Sequence, residues 1–496
     1  MIKNSLLNPD SAKQNFAFQF LYQAAILVIP LIVSPYLTRT LGSNSLGVYT
    51  YTYSIAYYFV IVAMLGINRH GQRIIAQKRE DLTVLRKTFW SLLCVHLIAS
   101  VLSLAVYFIY VIWICGSDQN IAIIQGIYVF SAALDITWVL QGLEKFRIIA
   151  VRNLIVKLLE TVCIFTFVRS PADTAIYTII MCASVCLGYL VMLPQILSAI
   201  PPIRFSVQDM AEHIKPLFTL FAASVAVTLY TVFDKTLLGF LSTKDNVAFY
   251  EYSDNIVKVP RHFIGVIGTV LFPRACVYAS NNDLKGMRKT YDSCLIVTCF
   301  IGFASCFGLA AVADLFATIY YGESFAICGP VIISMCPLIL IIGLGETVRD
   351  SFIYPLKKDV TMVRILTANA VVNLILSYLL IPVLGIYGAV VGTIAAETVG
   401  LVAEFIVCRK YISISDTLKN CLPFAGIGLI MYAIVRITAH YMAASIAGLL
   451  LQIGVGAFVY LFLAFLYGYF FNDLMQRTFL EVIGWIKDRM GINHKS

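Results

Sequence analysis

The sequence predicts an all-α membrane protein with about 14 transmembrane helices. Of its 496 residues, 60% are hydrophobic and only 13% are charged, whereas a soluble protein carries about a quarter charged residues. Apolar runs of about 20 residues, the length that crosses the hydrocarbon core of a bilayer, recur along the whole chain. The joints between these runs alternate between basic and nearly uncharged. Together these three observations indicate a multi-pass membrane protein.

The apolar runs predict the transmembrane helices in order along the chain. The first run lacks a small-residue cleavage pattern and is long enough to remain as a helix, so we do not expect a cleaved signal peptide. The predicted spans are 15–38, 45–67, 88–112, 119–141, 148–168, 173–195, 213–240, 247–272, 289–316, 325–346, 361–382, 386–408, 419–440 and 445–471.

The distribution of basic residues predicts the orientation. One set of alternate joints holds most of the lysines and arginines, including the joint 68–87 and the residues Arg349, Lys357 and Lys358. The opposite set holds only Arg39, Arg169 and Lys244. By the positive-inside rule the first set is cytoplasmic, and so are both termini. The joint 68–87 and the tail 472–496 mix apolar and basic residues, which favours helices on the inner leaflet, with partner docking as the alternative.

An internal repeat predicts the domain organisation. Residues 39–51 (RTLGSNSLGVYTY) are similar to residues 235–252, and each segment closes one span and opens the next. We therefore expect two pseudo-symmetric six-helix lobes, residues 1–200 and 201–412. A further helix pair and an amphipathic cytoplasmic tail would occupy residues 413–496. Repeats of this kind are common in transporters, whose substrate sites lie between the halves.

The span 247–272 carries a row of ionisable side chains. At about 100° per residue these side chains fall on roughly a third of the helix circumference. Charged groups inside a span are costly and normally face a bundle interior or a water-filled cavity. The repeat aligns this row with the hydroxylated and apolar face of the span 45–67, so the second half bears more of the charge. The row consists of Glu251, Asp254, Lys258, Arg261 and His262.

Other polar residues within the spans are weaker candidates. Lys157 and Glu160 are three residues apart and able to pair, while Arg152 is placed either in a cavity or at the cytoplasmic surface. The lone acids Asp135 and Glu397 are candidates for ion or proton coupling. The Asp234–Lys235 pair is read as a gate or as a mutually neutralising pair. The tyrosines of the span 45–67, among them Tyr53 and Tyr57, indicate either an interfacial aromatic belt or a surface for sugar stacking.

Several function classes are disfavoured. The chain has no phosphate-cradling glycine loop with a lysine, which disfavours an ATPase. No joint is long enough to fold a soluble domain with an aspartate pair, so a glycosyltransferase or other enzyme is not expected. The net charge is +9, and the basic residues cluster beside the spans. This distribution indicates membrane topology and not binding to nucleic acid. The 13 cysteines have no metal-like spacing, and we expect no metal or cofactor.

Three motifs resemble the oligosaccharide flippases of the polysaccharide-transporter family, which share the fold of multidrug-and-toxin exporters. The motifs are residues 135–147 (DITWVLQGLEKFR) with Arg152 and Asn153, residues 233–239 (FDKTLLG) with Tyr250 and Glu251, and residues 373–376 (NLIL) with 381–389 (IPVLGIYGA). The resemblance covers most of the chain and is weakest after about residue 415.

The resemblance implies a protein of the bacterial cytoplasmic membrane that moves undecaprenyl-pyrophosphate-linked oligosaccharide repeat units outward. The product would feed O-antigen, capsule or exopolysaccharide assembly, with a polymerase and a chain-length regulator as partners and a monomer as one possible state. A pyrophosphate with attached sugars requires a cationic, water-filled cavity. The candidate substrate contacts are Arg39, Tyr53, Tyr57, Arg152, Lys157, Lys235, Lys258 and Arg261. The candidate ion-coupling groups are Asp135, Glu160, Glu251, Asp254 and Glu397.

Three alternatives stay open at this point. A cation-coupled multidrug exporter of the same fold is disfavoured by the absence of charge from residues 14–38, because such exporters resemble this chain but use an acid in the first helix. A lipid II flippase also has 14 helices and a cationic cavity. A scaffold for a polymer-assembly complex leaves the charges within the spans unexplained.

Overall fold

The computed structural model describes residues 12–471 and Met475, although the side chains of 12–21, 23, 24, 223, 226, 227, 229–231, 267, 269, 270 and 471 are not described. Within this part of the chain every regular element is a helix, which confirms the all-α prediction. The helices are α1 (Ala12–Thr40), α2 (Gly42–Met64), α3 (Ile67–Lys78), α4 (Leu82–Trp113), α5 (Gln119–Ala133), α6 (Thr137–Gly142), α7 (Phe146–Phe167), α8 (Thr174–Ala199), α9 (Val207–Leu241), α10 (Lys244–Ser280), α11 (Leu284–Tyr321), α12 (Cys328–Met335), α13 (Pro337–Val348), α14 (Asp359–Leu384), α15 (Ile386–Cys408), α16 (Ile414–His440) and α17 (Ile446–Phe471).

Each of the 14 predicted spans coincides with a helix or a pair of consecutive helices. Among the described residues nine helical segments are long and apolar enough to cross a membrane, and two bent pairs raise that number to eleven. One bent pair joins 323–335 to 337–353 at an angle of 41°, where Pro337 begins α13 and leaves a backbone hydrogen bond unmade. The remaining predicted spans are occupied by α1, α7 and α9.

The chain forms two compact units, residues 1–248 and 249–496. In the first unit α2 packs against α4, α5 and α9, while α7 packs against α1 and α8. In the second unit α11 packs against α12, α13, α16 and α17, and α14 pairs with α15. The division falls later than the predicted lobe boundary at residue 200, because α9 packs on α2, α3 and α4 of the first unit. The division into six-helix lobes stays a prediction.

The predicted helix in the joint 68–87 is α3, and it lies against the protein. Leu65 and Gly66 have φ angles of 44° and 76°, and this left-handed pair turns the chain from α2 into α3. The buried face of α3 includes His70 and Ile75 and packs on α4, α6 and α9. The predicted amphipathic tail 472–496 lies outside the described residues, apart from Met475.

Candidate functional site

The charged row predicted on the span 247–272 lies on α10, and three of its members form one cluster. The Asp254 carboxylate accepts a hydrogen bond from Arg261, with 3.1 Å between Oδ1 and Nη2. Its other oxygen, Oδ2, lies 2.5 Å from Nζ of Lys258. The exposed fractions of the Asp254 and Arg261 side chains are 14% and 17%. One carboxylate therefore holds two cations, and the cluster keeps a net charge of +1.

The other two members of the row have different surroundings. Glu251 lies one turn before Asp254, and its Oε1 accepts a hydrogen bond of 3.3 Å from the side-chain amide of Asn255. His262 is exposed. Within the row, Asp254 is therefore the carboxylate that pairs with Lys258 and Arg261.

A second ionic cluster of the same unit joins α13 to α15. Nη1 of Arg349 lies 2.7 Å from Oε1 of Glu404, and the exposed fractions of these side chains are 18% and 1%. Glu346, one turn before Arg349, is close enough for its charge to act on both Arg349 and Arg261. Among the described residues, Oε2 of Glu346 and Oε2 of Glu404 are buried without a hydrogen-bond partner. Two carboxylates therefore share the surroundings of one buried guanidinium.

The backbone of α10 approaches this second cluster at two glycines. A Cβ atom at Gly265 would lie 3.4 Å from Oε2 of Glu346, and one at Gly268 would lie 2.1 Å from Oδ2 of Asp350. These glycines leave room for two carboxylates against the helix that carries the charged row. The acidic groups of residues 346–350 and the row on α10 therefore belong to one polar region of the second unit.

Arg349 lies within a helical segment that is longer than the predicted span 325–346. The sequence placed it in a cytoplasmic joint, but α13 continues without a break into a five-residue π-helical turn, Arg349–Ile353. Its guanidinium points toward Glu404 within the unit. A basic residue directly after an apolar run is ambiguous in sequence, because only a tertiary partner decides whether it turns inward.

Glu397 is buried on α15, with 8% of its surface exposed, and the nearby charge of Glu404 acts on it. Seven residues separate these two acids, which places both on the same face of the helix. Glu397 therefore lies on the same helix face as Glu404, two turns before it.

In the first unit the predicted pairing of Lys157 with Glu160 is present on α7. The Lys157 ammonium donates to Oε1 of Glu160, and the Ser184 hydroxyl on α8 donates to Oε2 over 3.0 Å. Glu160 is 7% exposed and Lys157 is 28% exposed. Both oxygens of the Glu160 carboxylate are thus satisfied.

Arg152 lies over an aromatic ring and does not extend freely to the surface. Its guanidinium carbon is 5.1 Å from the centroid of Tyr189, and its Nε donates to Oδ1 of Asn153 over 2.9 Å. Asp135 accepts hydrogen bonds from the backbone N–H of Thr137 over 2.9 Å and from its hydroxyl. Asp135 therefore supports the start of α6, and its charge also acts on Arg152.

Tyr53 and Tyr57 belong to a stack of rings within the first unit. The Tyr53 ring stacks on Tyr128 of α5 at 5.0 Å between centroids, and the two hydroxyl oxygens are 3.3 Å apart. Tyr57 stacks on Tyr53 at 6.2 Å. Both side chains are half-buried, so these rings partly face neighbouring helices of the unit.

Arg39 and Lys235 lie at helix ends. The exposed Arg39 side chain donates from Nη1 to the carbonyl oxygen of Pro35 over 2.9 Å. Lys235 is half-buried and follows Asp234, which is buried near the end of α9. Of the cationic candidates in the first unit, Arg39 is therefore exposed, whereas Arg152, Lys157 and Lys235 are half-buried.

The sequence analysis missed Glu346, Asp350 and Glu404 as functional candidates. A usable signal was present, because residues 346, 349 and 350 are spaced by three and four and therefore share one helix face. Glu404 follows Glu397 by two helical turns inside an apolar span. That these residues lie close to one another across two helices could be seen only in the folded structure.

Comparison with known proteins gives relatives of matching length. The family profile described as "Polysaccharide biosynthesis protein" matches residues 12–276, more than half of the chain. A protein of Shigella dysenteriae named "Putative O-antigen transporter" is 24% identical over 395 residues, which cover 78% of this chain and 97% of that protein. A protein of the same name from Escherichia coli (strain K12) is 21% identical over 398 residues, covering 79% and 95% of the two chains.

Solved structures share the fold. The lipid II flippase MurJ in an inward closed conformation superposes with a TM-score of 0.74 at 16% identity, covering 92% of this chain and all of that chain. An inward-facing multidrug resistance MATE family transporter of the MOP superfamily gives a TM-score of 0.58 at 16% identity, covering 83% and 99%. The predicted exporter-like fold is therefore confirmed, and with the match over residues 12–276 the chain belongs to the polysaccharide biosynthesis protein family.

Proposed function

We propose that this protein flips undecaprenyl-pyrophosphate-linked oligosaccharide repeat units from the inner to the outer leaflet of the bacterial cytoplasmic membrane. The observation that carries the proposal is the cluster of Asp254, Lys258 and Arg261 within a membrane span. A charged cluster in a span is costly unless it serves a polar cargo or a water-filled path. The excess positive charge of this cluster suits an anionic cargo.

The chemistry of a diphosphate matches these cations. Arginine presents several N–H donors to phosphate oxygens in a planar arrangement, and lysine adds a flexible point charge. Lys258 is 36% exposed, which leaves its ammonium reachable by a ligand. Asp254 would hold both cations in position between transport cycles, while a bound diphosphate would compete for the same donors.

The names of the relatives support the oligosaccharide class. Two proteins that match nearly their full lengths are named as O-antigen transporters. In this proposal the polyprenyl chain stays in lipid and only the diphosphate and sugars cross the membrane by alternating access through a cationic cavity. Both termini would be cytoplasmic, and a polymerase and a chain-length regulator would act on the product.

Membrane potential or ion counter-transport would drive the movement. Carrying one negative charge outward across an inside-negative membrane is favourable by about 2.3 kcal/mol per 100 mV. The buried acids Glu160 and Glu397, together with Asp135, Glu251 and Asp254, are the proposed coupling groups. Glu346 and Glu404 join them, because each keeps one buried oxygen without a partner in the described structure.

Deletion of the gene tests the proposal. We expect surface polysaccharide to disappear and lipid-linked repeat units to accumulate on the cytoplasmic leaflet. Complementation with Lys258→Ala or Arg261→Ala should fail although the protein reaches the membrane, whereas Arg288→Ala, which removes an exposed cation of the same unit, should complement. Heightened drug sensitivity with normal polysaccharide would contradict the proposal and favour a multidrug exporter.

A further inference from the structure

A groove between α3 and α6 is not used by the proposed transport path. Its volume is about 560 Å³, and its lining includes Arg69, Gln72, Arg73, Gln141, Glu144 and Phe146. The last three belong to the motif 135–147, and none of these three has a role in the proposed transport path. The groove lies wholly within the first unit.

The walls of the groove are held together by two close helix contacts. A Cβ atom at Gly71 of α3 would lie 2.4 Å from the ring of Trp138, and one at Gly142 would lie 2.7 Å from Ile75. Only glycine permits these approaches without displacement of a neighbour. The fully buried Trp138 side chain thus anchors α3 on α6, and the groove is a fixed feature of the fold.

The charge of the groove is positive. Arg69 and Arg73 are four residues apart on α3 and line the same side. Glu144 is the acid that lines the groove, and its Oε1 lies 2.9 Å from Nη1 of Arg79. Because Arg79 offsets that carboxylate, the guanidinium groups of Arg69 and Arg73 determine the net charge. Gln72 and Gln141 add neutral hydrogen-bonding groups.

The groove is expected at the level of lipid headgroups, because it lies where membrane spans are joined. α3 connects the spans α2 and α4, and residues 143–145 connect α6 to the span α7, so both walls of the groove adjoin predicted cytoplasmic joints. The α8–α9 joint is tied to the same region, since Nε of Arg86 donates to the carbonyl oxygen of Pro201 over 2.9 Å. Nearby, Leu82 and Val84 at the start of α4 are 44% and 38% exposed, as expected for residues that meet acyl chains.

We infer that this groove binds the phosphate headgroup of a membrane lipid through Arg69 and Arg73. Two guanidinium groups on one helix face offer paired donors to phosphate oxygens, and the lipid tail would leave past the exposed apolar residues of α4. Either an anionic phospholipid or the polyprenyl diphosphate substrate supplies this chemistry. The inference rests on the proposed function only for the second source.

Native mass spectrometry of the full-length protein in neutral detergent tests the inference. The probes are phosphatidylglycerol, undecaprenyl diphosphate and the zwitterionic phosphatidylcholine. The variant is Arg69→Gln/Arg73→Gln. The control, Arg204→Gln/Lys215→Gln, removes the same charge from two exposed cations of the first unit that do not line the groove. The thermal midpoints of both variants in lipid-free detergent verify folding.

We expect the wild type to retain the two anionic lipids in preference to phosphatidylcholine. The groove variant should bind them at least about tenfold more weakly, because it loses the charge-assisted hydrogen bonds of two guanidinium groups, and the control should change by less than about twofold. Tighter retention of the diphosphate identifies a substrate-entry site, and equal retention identifies a phospholipid site. Unchanged binding in the groove variant, or an equal loss in the control, overturns the inference. Normal surface polysaccharide in the deletion strain would overturn the proposed function but leave this binding result intact.

Discussion

The sharing of one carboxylate by two cations on α10 predicts a specific pattern of stability. Asp254→Asn removes the group that holds both Lys258 and Arg261. Lys258→Gln and Arg261→Gln each remove one of these two cations. The double variant Lys258→Gln/Arg261→Gln leaves the carboxylate with neither, and the triple variant removes all three charges.

The expected loss of stability in each variant follows from how exposed the changed side chain is. Lys258 is 36% exposed, so Lys258→Gln should cost no more than about 1 kcal/mol, as for pairs near water. Arg261 and Asp254 are 17% and 14% exposed, so Asp254→Asn should cost about 3 kcal/mol, at the lower end for broken buried pairs. The double variant should cost about as much as Asp254→Asn and more than its two single variants together. The triple variant should return to within about 1 kcal/mol of the wild type.

Thermal unfolding in detergent measures the pattern. A maleimide dye reports unfolding through buried thiols of the second unit such as Cys294 and Cys336. For a domain of about 150–250 residues, each kcal/mol shifts the thermal midpoint by about 2–4 °C. The midpoint of Asp254→Asn should therefore be roughly 6–12 °C below that of the wild type. Arg288→Gln, which breaks an exposed pair with Asp416, is the control, and its thermal midpoint should stay close to that of the wild type. The reasoning would be refuted if the stability losses of Lys258→Gln and Arg261→Gln added up to that of the double variant. A triple variant as unstable as Asp254→Asn would also refute it.

Three further predictions concern other parts of the chain. Glu404→Gln should lower the thermal midpoint more than Glu346→Gln, because Glu404 is bonded to Arg349 at 2.7 Å and its loss strands a buried cation; equal shifts would contradict this. Gly71→Ala should cost about 1–3 kcal/mol through its clash with Trp138, whereas Gly426→Ala, in open space within α16, should be neutral or stabilising by up to about 1 kcal/mol. Hydrogen bonds from the Ser206 backbone N–H, and the nearby Lys87, lower the pKa of Asp209 to about 2. Stability from this carboxylate is therefore complete above its unfolded pKa of about 3.9 and is lost as pH falls toward 2. A midpoint difference between wild type and Asp209→Asn that does not shrink below pH 4 would contradict this assignment.

The sequence was sufficient for the helices, because each apolar run of membrane-spanning length became one helix or a bent pair. It was also sufficient for the pair of Lys157 with Glu160, since their spacing of three residues places them together on one helix. The partners of Asp254 were known only from the structure. The lobe boundary stays a prediction, and the sequence did not indicate that α9, which follows the sixth predicted span, packs on the first unit.

The groups that pair across helices could not be predicted from the sequence. Arg349 follows an apolar run and looked like a cytoplasmic anchor, but Glu404, which lies 55 residues later, holds it within the unit. The roles of Gly265 and Gly268 were equally hidden, because a glycine in a span indicates a close approach without naming the side chain that approaches. Asp135 was read as a coupling candidate, and the structure gives it a local role at the start of α6 as well.

Reconstitution of the purified protein in liposomes tests the central claim most directly. The measurement is the rate at which a polyprenyl-diphosphate-linked oligosaccharide added to one leaflet becomes accessible to a sugar-modifying enzyme on the other side. We predict protein-dependent transfer by the wild type, loss of transfer in Lys258→Gln/Arg261→Gln, and retention in Arg288→Gln. Transfer by the double variant at the wild-type rate, with both proteins folded, would contradict the claim that the cationic row on α10 carries the diphosphate across.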